Sequence, residues 1–126
     1  MNNLFEWHEY RPFEPGYMKV LGPLETEIMD IIWERGTETA RGVYETLHKG
    51  RKDIRRSTIS IMMNRLFERG LVEKKIEKGR GGLKYVYSVK VSKDEFKREV
   101  VRNVMDSLHD TFEKELDTYI KDVFMK

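Results

Sequence analysis

The side chains with the clearest chemical potential in this 126-residue chain are cations clustered in its middle. Residues 51–90 hold twelve Lys and Arg against four Asp and Glu, a balance of +8 in a chain whose net charge is +2. Such a segment in a nearly neutral chain is typical of a surface that binds a phosphate backbone. A charge-rich solvated surface of the thermophilic kind would have the same composition, so charge alone leaves both interpretations open.

Residue types for other chemistry are sparse. The chain has no cysteine, which excludes disulfides and thiolate metal sites. His8, His48 and His109 are scattered without closely spaced acids, so we expect no metal site. No serine or carboxylate pair stands in a catalytic context. We therefore expect no enzymatic activity, no cofactor and no small-molecule ligand.

The first residues and the hydropathy of the chain bear on where it acts. The N-terminal stretch carries Glu6 and Glu9 and lacks the apolar core of a signal peptide. No apolar run approaches the roughly 20 residues that span a bilayer. These patterns predict a cytoplasmic protein with no membrane partner.

Two helices are predicted ahead of the basic segment. Pro23 and Gly36 suit the start and end of the first helix, and Thr39 and Gly50 suit the cap and end of a shorter second one. Apolar residues at helical spacing predict the inner face of each. These are Leu24, Ile28, Ile31 and Ile32 in the first helix, and Ala40, Val43 and Leu47 in the second.

A third helix and a hairpin make up the basic segment itself. Ser57 is the expected cap of the third helix and Gly70 its end, with a buried stripe of Ile59, Met62, Met63 and Leu66. After Gly70 the apolar period changes from helical to about two on both sides of "KGRGG". This pattern predicts a β-hairpin with a loop longer than two residues and a cationic tip.

Helix, short helix, helix and basic hairpin is the element order of a winged helix-turn-helix. The expected fold is therefore mainly α with a small β-hairpin, in which the third helix enters a DNA major groove and the cations hold phosphates. The side of this helix opposite the buried stripe is expected to carry Ser57, Thr58, Ile61, Asn64, Arg65 and Glu68. The residues expected to bind phosphates are Arg55, Arg56, Lys78, Arg80 and Lys84.

The chain resembles a known family over about residues 21–90. The similarity lies in "LGPLETEIMDIIWERGTETARGVYETL", "STISIMMNRLFERGLVEKK" and "GLKYVYSV", which resemble the penicillinase-repressor family of winged-helix regulators. The resemblance implies a homodimeric repressor that binds a palindromic operator in double-stranded DNA. Carried onto this chain, it implies that the residues that read bases are Ser57, Thr58, Ser60, Ile61, Asn64 and Arg65. The clustered C-terminal cysteines of the copper-responsive branch are missing here.

Two segments flank the winged helix-turn-helix expected at residues 22–91, namely residues 1–21 before it and residues 92–126 after it. Residues 1–21 form an arm that contains Phe5, Trp7, Tyr10, Phe13 and Tyr17. We expect this arm to pack on the body of the protein or on a partner subunit, because free aromatic side chains are costly to expose.

The segment from Ser92 to the C-terminus contains no Gly or Pro and predicts a helix of about thirty residues, with Ser92 and Glu95 as a capping box. An apolar row with an eleven-residue period runs along it, which predicts a nearly straight or weakly right-handed dimerisation seam. Its members are Val101, Met105, Leu108, Phe112, Leu116, Tyr119 and Val123. The alternative, in which the helix folds back over its own domain, applies best to Phe96 and Val100.

Three function classes stay open at this point. The first is a sequence-specific dimeric regulator, and the second is a non-specific architectural DNA-binding protein. The third is a winged-helix protein–protein adaptor, which would have no salt-sensitive affinity for DNA.

Overall fold

Three α-helices, a short 3-10 helix at Gly16–Lys19 and a three-stranded sheet form the first of two compact units, Met1–Lys93, and one long helix dominates the second, Asp94–Lys126. A computed structural model describes residues 4–6 and 9–125, so the expectations for Trp7 and His8 lie outside the described residues. The order of elements is that of the predicted winged helix-turn-helix. Among the described residues, none of the helices combines the length and the apolar character needed to cross a bilayer.

Helix α1, Pro23–Arg35, begins and ends where its sequence predicts. The Glu25 carboxylate accepts a hydrogen bond from Gly22 N at 2.9 Å, and Gly36 ends the helix with a φ of +83° that suits glycine. The inner face differs in part from the prediction. Ile28, Met29 and Ile32 are the buried residues, whereas Leu24 and Ile31 are half-buried, because the buried stripe is centred one residue away from the expected line.

Helix α2, Ala40–His48, follows a two-residue strand β1, Thr37–Glu38, which the sequence does not predict. Thr39 caps α2 as expected, since its hydroxyl accepts a hydrogen bond from Gly42 N at 3.1 Å. The side chain of Val43, on the inner face of α2, is fully buried.

Helix α3, Arg56–Glu68, begins earlier than its sequence predicts. The expected cap, Ser57, lies inside the first turn, and the extended backbone of Arg55 occupies the cap position. The buried side chain of Ile54 and the hydrogen bond from Ile54 N to Arg51 O fix the preceding turn, so the chain enters the helix at once. The buried residues are Ile59, Met63 and Leu66, and Met62 is half-buried.

The wing consists of β2, Val72–Gly79, and β3, Gly82–Val89, in a sheet of order β1-β3-β2. Gly79 pairs with Gly82, so the loop has two residues and the expectation of a longer one is wrong. The tight turn is allowed because Gly81 and Gly82 have φ of +86° and +111°, a region that other residues rarely adopt. Tyr85 and Tyr87 share one face of β3, as a period of two requires, because Lys74 Nζ lies over both rings. Burial along β3 does not alternate from residue to residue.

The N-terminal arm packs on the first unit through a few residues. Phe5 is buried, and Glu6 N donates to Arg69 O at 2.8 Å at the end of α3. The Tyr17 ring meets the Trp33 ring edge-on at 5.7 Å, as the packing hypothesis requires. Tyr10 and Phe13 are exposed in the single chain, so for these two residues packing on a partner subunit stays a prediction.

Helix α4, Lys93–Phe124, is long, as predicted, but it is not one straight helix. At Phe112 the backbone leaves the helical region, with φ −122° and ψ 41°, and no proline or glycine in α4 explains the break. The expectation of a nearly straight seam is therefore wrong at this residue.

Candidate nucleic-acid interface

The outward side of α3 carries most of the residues predicted to read bases. Ile59, Met63 and Leu66 are fully buried and fix the rotation of the helix about its own axis. Ile61 is 54% exposed, which suits apolar contact with a thymine methyl group. The exposed side of α3 carries Ser57, Thr58, Ser60, Ile61 and Arg65. Asn64, in contrast, is half-buried.

Asn64 lies at the edge of α3 next to the wing and is held there. Lys74 Nζ, from β2, donates to Asn64 Oδ1 at 2.7 Å, and Asn64 Nδ2 donates to Glu68 Oε1 at 2.9 Å. The Arg65 guanidinium is exposed and makes a weak contact with Met62 Sδ at 3.9 Å. Asn64 is thus fixed in place, whereas Arg65 is available to move toward a ligand.

A cationic groove runs between the start of α2, the start of α3 and the tip of the wing. Arg41, Arg56, Arg80 and Lys84 line it, and its described lining residues include no carboxylate. Thr39, Ser60 and Tyr87 add hydroxyl groups to its wall. Four cations and several hydrogen-bond donors along one groove form a surface that suits a phosphate backbone.

Arg41 is the residue of this groove that sequence reasoning missed. It lies in the first turn of α2, is exposed and forms a surface ion pair with Glu45 at 2.9 Å. The signal was its position two residues after the predicted cap, Thr39, at the end of α2 that a helix-turn-helix turns toward DNA. An exposed pair of this kind is weak, so a phosphate can replace the carboxylate at little cost.

The cations at the tip of the wing point to both faces of the hairpin. Lys78 pairs with Leu83, and Lys84 pairs with Glu77 on the next register position. Because side chains alternate between faces along a strand, Lys78 and Lys84 lie on opposite faces. Arg80 occupies the loop between them. The tip can therefore meet phosphates on either side, although these cations do not form a single cluster.

Some of the cations in residues 51–90 do not belong to the interface. Arg69 is 4% exposed, pairs with Glu25 at 2.9 Å and donates through Nε to Glu6 O at 3.1 Å. Arg51 pairs with Glu27 on the surface. The charge of the segment therefore overstates the charge that faces a ligand. Arg55, Arg56, Lys78, Arg80 and Lys84, the predicted phosphate ligands, are all exposed.

The root of the wing holds a neutral tyrosine. Burial, with a smaller effect from neighbouring Tyr85, raises the pKa of Tyr87 above its usual value of 10.0. At neutral pH the phenol is therefore protonated and adds no negative charge to the cationic groove.

The apolar row of the second unit is mostly exposed in the single chain. Val101 is 60% exposed and Tyr119 is 56% exposed, and Leu116 is half-buried. The Tyr119 ring also meets the Phe124 ring edge-on at 6.2 Å. The break at Phe112 divides the row into Val101–Leu108 and Leu116–Val123. The proposed dimer interface stays a prediction.

Metal-binding geometry is not found in the part of the chain that the structure describes. Within residues 4–6 and 9–125, no three histidine or acidic side chains converge on one point. His48 stacks on Tyr44 at 4.9 Å, and His109 lies 3.7 Å from Glu113 on the exposed surface of α4.

Comparison with protein families gives one match. A family described as "Penicillinase repressor" matches residues 21–122, which include every helix and strand from α1 to β3 and nearly all of α4. The N-terminal arm lies outside the match except for its last residue. No curated protein matches the chain.

Proposed function

The chain belongs to the penicillinase repressor family, which indicates a DNA-binding transcriptional regulator, and on this premise we propose that it is a homodimeric, sequence-specific repressor. The proposed ligand is a palindromic operator in double-stranded DNA. The protein would act in the cytoplasm without a cofactor. Each part of this proposal rests on a separate feature of the molecule.

The observation that carries the proposal is the position of the cationic groove beside α3. Arg56 and Ser60 of α3 line the same groove as Arg80 and Lys84 of the wing. A helix laid in a major groove would thus have phosphate ligands along its flank. Phosphate contacts would set the register of the protein, and the exposed side of α3 would read the bases.

The proposed roles follow exposure, except that of Asn64, which is half-buried at the edge of α3. Ser57, Thr58, Ser60, Ile61, Asn64 and Arg65 would contact base edges. Arg55, Arg56, Lys78, Arg80 and Lys84 would bind phosphates, together with Arg41 at the start of α2.

Homodimerisation is proposed from the exposed apolar row of α4. Exposed apolar side chains that recur along one helix are costly to leave in water, and a second copy of the same helix offers a matching surface. A two-fold dimer presents two recognition helices, so its preferred site would be an inverted repeat with half-sites about one helical turn apart or a multiple of it.

The first experiment identifies the site. Binding the purified chain to a pool of random duplexes and sequencing the retained fraction is expected to yield an inverted repeat. A retained pool without a consensus would favour the architectural alternative. Absence of any salt-sensitive DNA affinity would favour the adaptor alternative.

Matched variants then separate affinity from specificity. Replacing Arg80 or Lys84 with Ala should weaken binding to the selected site and to random DNA alike, and should flatten the log–log salt slope by about 0.9 per lost contact. Replacing Arg65 with Ala should cost about 1–3 kcal/mol on the selected site alone if Arg65 makes a bidentate base contact.

The control is Lys49→Ala, at the opposite end of α2 from Arg41, and it should leave both affinities unchanged. Fluorescence anisotropy over a salt series measures all of these quantities. Equal weakening of both DNAs by Arg65→Ala would contradict its assigned role.

A further inference from the structure

Lys74 is a cation that the roles assigned above do not use. It lies on β2, and its ammonium group is enclosed by aromatic rings from two elements. Lys74 Nζ lies 4.2 Å from the centroid of Tyr85, 5.4 Å from that of Phe67 and 5.9 Å from that of Tyr87. Attraction between the cation and the ring faces holds the ammonium group at a fixed point between the wing and α3.

The caged ammonium determines how the Asn64 amide is oriented. An ammonium group only donates hydrogen bonds and an ionised carboxylate only accepts them. Asn64 Oδ1 faces Lys74 Nζ at 2.7 Å and Asn64 Nδ2 faces Glu68 Oε1 at 2.9 Å. A flipped amide would set N–H groups against the ammonium and oxygen against the carboxylate, and would lose both bonds. The network therefore permits one orientation of the amide.

The remaining bonding capacity of Asn64 matches one base. An amide has two N–H donors and an oxygen with two lone pairs. After the bonds to Lys74 and Glu68, one donor and one lone pair are free. This is the combination with which an asparagine reads adenine, donating to N7 and accepting from N6.

We propose that Lys74 is a positioning residue that fixes the orientation of the Asn64 amide and so sets a preference for adenine at the base pair Asn64 reads. This inference rests on the proposed function, because it requires that α3 reads bases. It assigns to Lys74 a role through Asn64 and no phosphate contact of its own. The aromatic cage keeps the ammonium group from moving toward DNA.

The test uses Lys74→Met, which can fill the aromatic cage with a flexible apolar side chain but donates no hydrogen bond. Binding is measured on the selected site and on versions with each base pair replaced. The preference at the base pair that Asn64→Ala identifies should fall about tenfold, within the range for one bidentate contact. The preferences at the other base pairs and the salt slope should not change.

The matched control is Lys75→Met. Lys75 is exposed on the neighbouring position of β2, pairs with Val86 and lies on the other face of the wing. Removing the same charge there should leave the preference at every base pair intact.

Two further variants keep the test decisive. Lys74→Gln keeps a polar group but offers both a donor and an acceptor, so only Glu68 still opposes the flipped amide, and the preference should again fall. The double variant Lys74→Met with Asn64→Ala should show no additional loss at that base pair beyond Asn64→Ala alone. Thermal melts of every variant confirm that the compared proteins are folded.

The outcomes separate this inference from the proposed function. If the unaltered protein shows no base preference, the proposed function fails. If it shows one that Lys74→Met or Lys74→Gln preserves, or that Asn64→Ala does not affect, only the inference is overturned. A salt slope that flattens by about 0.9 in Lys74→Met would also overturn it, because Lys74 would then contact a phosphate.

Discussion

The apolar core of the first unit and the apolar row along α4 of the second differ in how far they are exposed. In the first unit, Ile28, Ile32, Ile59 and Leu66 are completely buried among the helices and the sheet. In the second unit, the apolar row from Val101 to Val123 is largely exposed, although its spacing along the sequence is just as regular. Regular spacing thus identifies a face that will be covered, but it does not say whether the cover comes from the same chain.

The charged residues of the distal part of α4 also differ from those of the first unit. The first unit contains a buried ion pair, Arg69–Glu25, that is satisfied on several sides. Near the start of α4 the carboxylate of Glu99 is likewise buried and pairs with Arg102, whereas His109 and Glu113, farther along the helix, are exposed. The first unit thus buries most of its core within itself, whereas the apolar row of α4 is the surface on which the proposed dimer would form.

The largest expected effect comes from removing the distal part of α4. A chain truncated after Ser107 should be a monomer by light scattering and should bind the selected inverted repeat about a hundredfold more weakly, since it loses the avidity of two linked half-sites. Binding to random DNA should change much less.

A point variant refines the same comparison. Leu116→Asp should also give a monomer, whereas Thr118→Asp, an exposed position outside the apolar row, should stay dimeric. A truncated chain that remains dimeric would assign the interface to another surface, such as the aromatic arm.

A smaller but still severe effect is expected in the first unit from Arg69→Met. This change leaves the Glu25 carboxylate without its partner in a buried site and removes the hydrogen bond to Glu6 O. Breaking a buried pair in this way costs about 3–5 kcal/mol of unfolding free energy, measured by urea denaturation.

Two further variants test why Arg69→Met should be destabilising. Arg65→Met, an exposed arginine on the same helix, should cost little. Adding Glu25→Gln to Arg69→Met should recover part of the loss, because the unpaired charge is gone. No recovery would mean that the contact with the arm, and not the ion pair, is what Arg69 contributes.

The smallest effect concerns pH. Tyr87 has a raised pKa, so the folded chain keeps the phenol proton at pH values where the unfolded chain, with a pKa of 10.0, has lost it. Its contribution to stability is complete below pH 10 and is lost as the pH rises through the raised value. Tyr87→Phe should therefore flatten the decline of stability above pH 10 in urea melts, and Tyr85→Phe should flatten it less.

Local chemistry explains which elements could be predicted from the sequence. The cap at Thr39 and the helix ends at Gly36 and Gly70 depend on neighbouring residues, and the structure has them where they were expected. Strand β1 has two residues and no periodicity of its own, and it exists only because Thr37 and Glu38 pair with β3. Tertiary pairing of this kind leaves no local signal.

The residues of the candidate interface also divide into those that local sequence predicts and those that depend on tertiary contacts. The exposure of Ser57 and Ile61 follows from the period of α3, and the basic tip of the wing follows from its residue types. The hydrogen bond between Lys74 and Asn64 depends on how β2 packs against α3, which the sequence alone does not provide. The break at Phe112 likewise has no residue in α4 that marks it.

The contacts of the N-terminal arm have a consequence for how this chain can vary between related organisms. The arm contacts the end of α3 through its own main-chain atoms. Glu6 N donates to Arg69 O, Arg69 Nε donates to Glu6 O, and Leu4 O lies 3.4 Å from where a Cβ on Gly70 would be. Main-chain bonds do not depend on side-chain identity. Natural variants should therefore tolerate most substitutions in this part of the arm while preserving its length, the aromatic anchor at Phe5 and the glycine it passes.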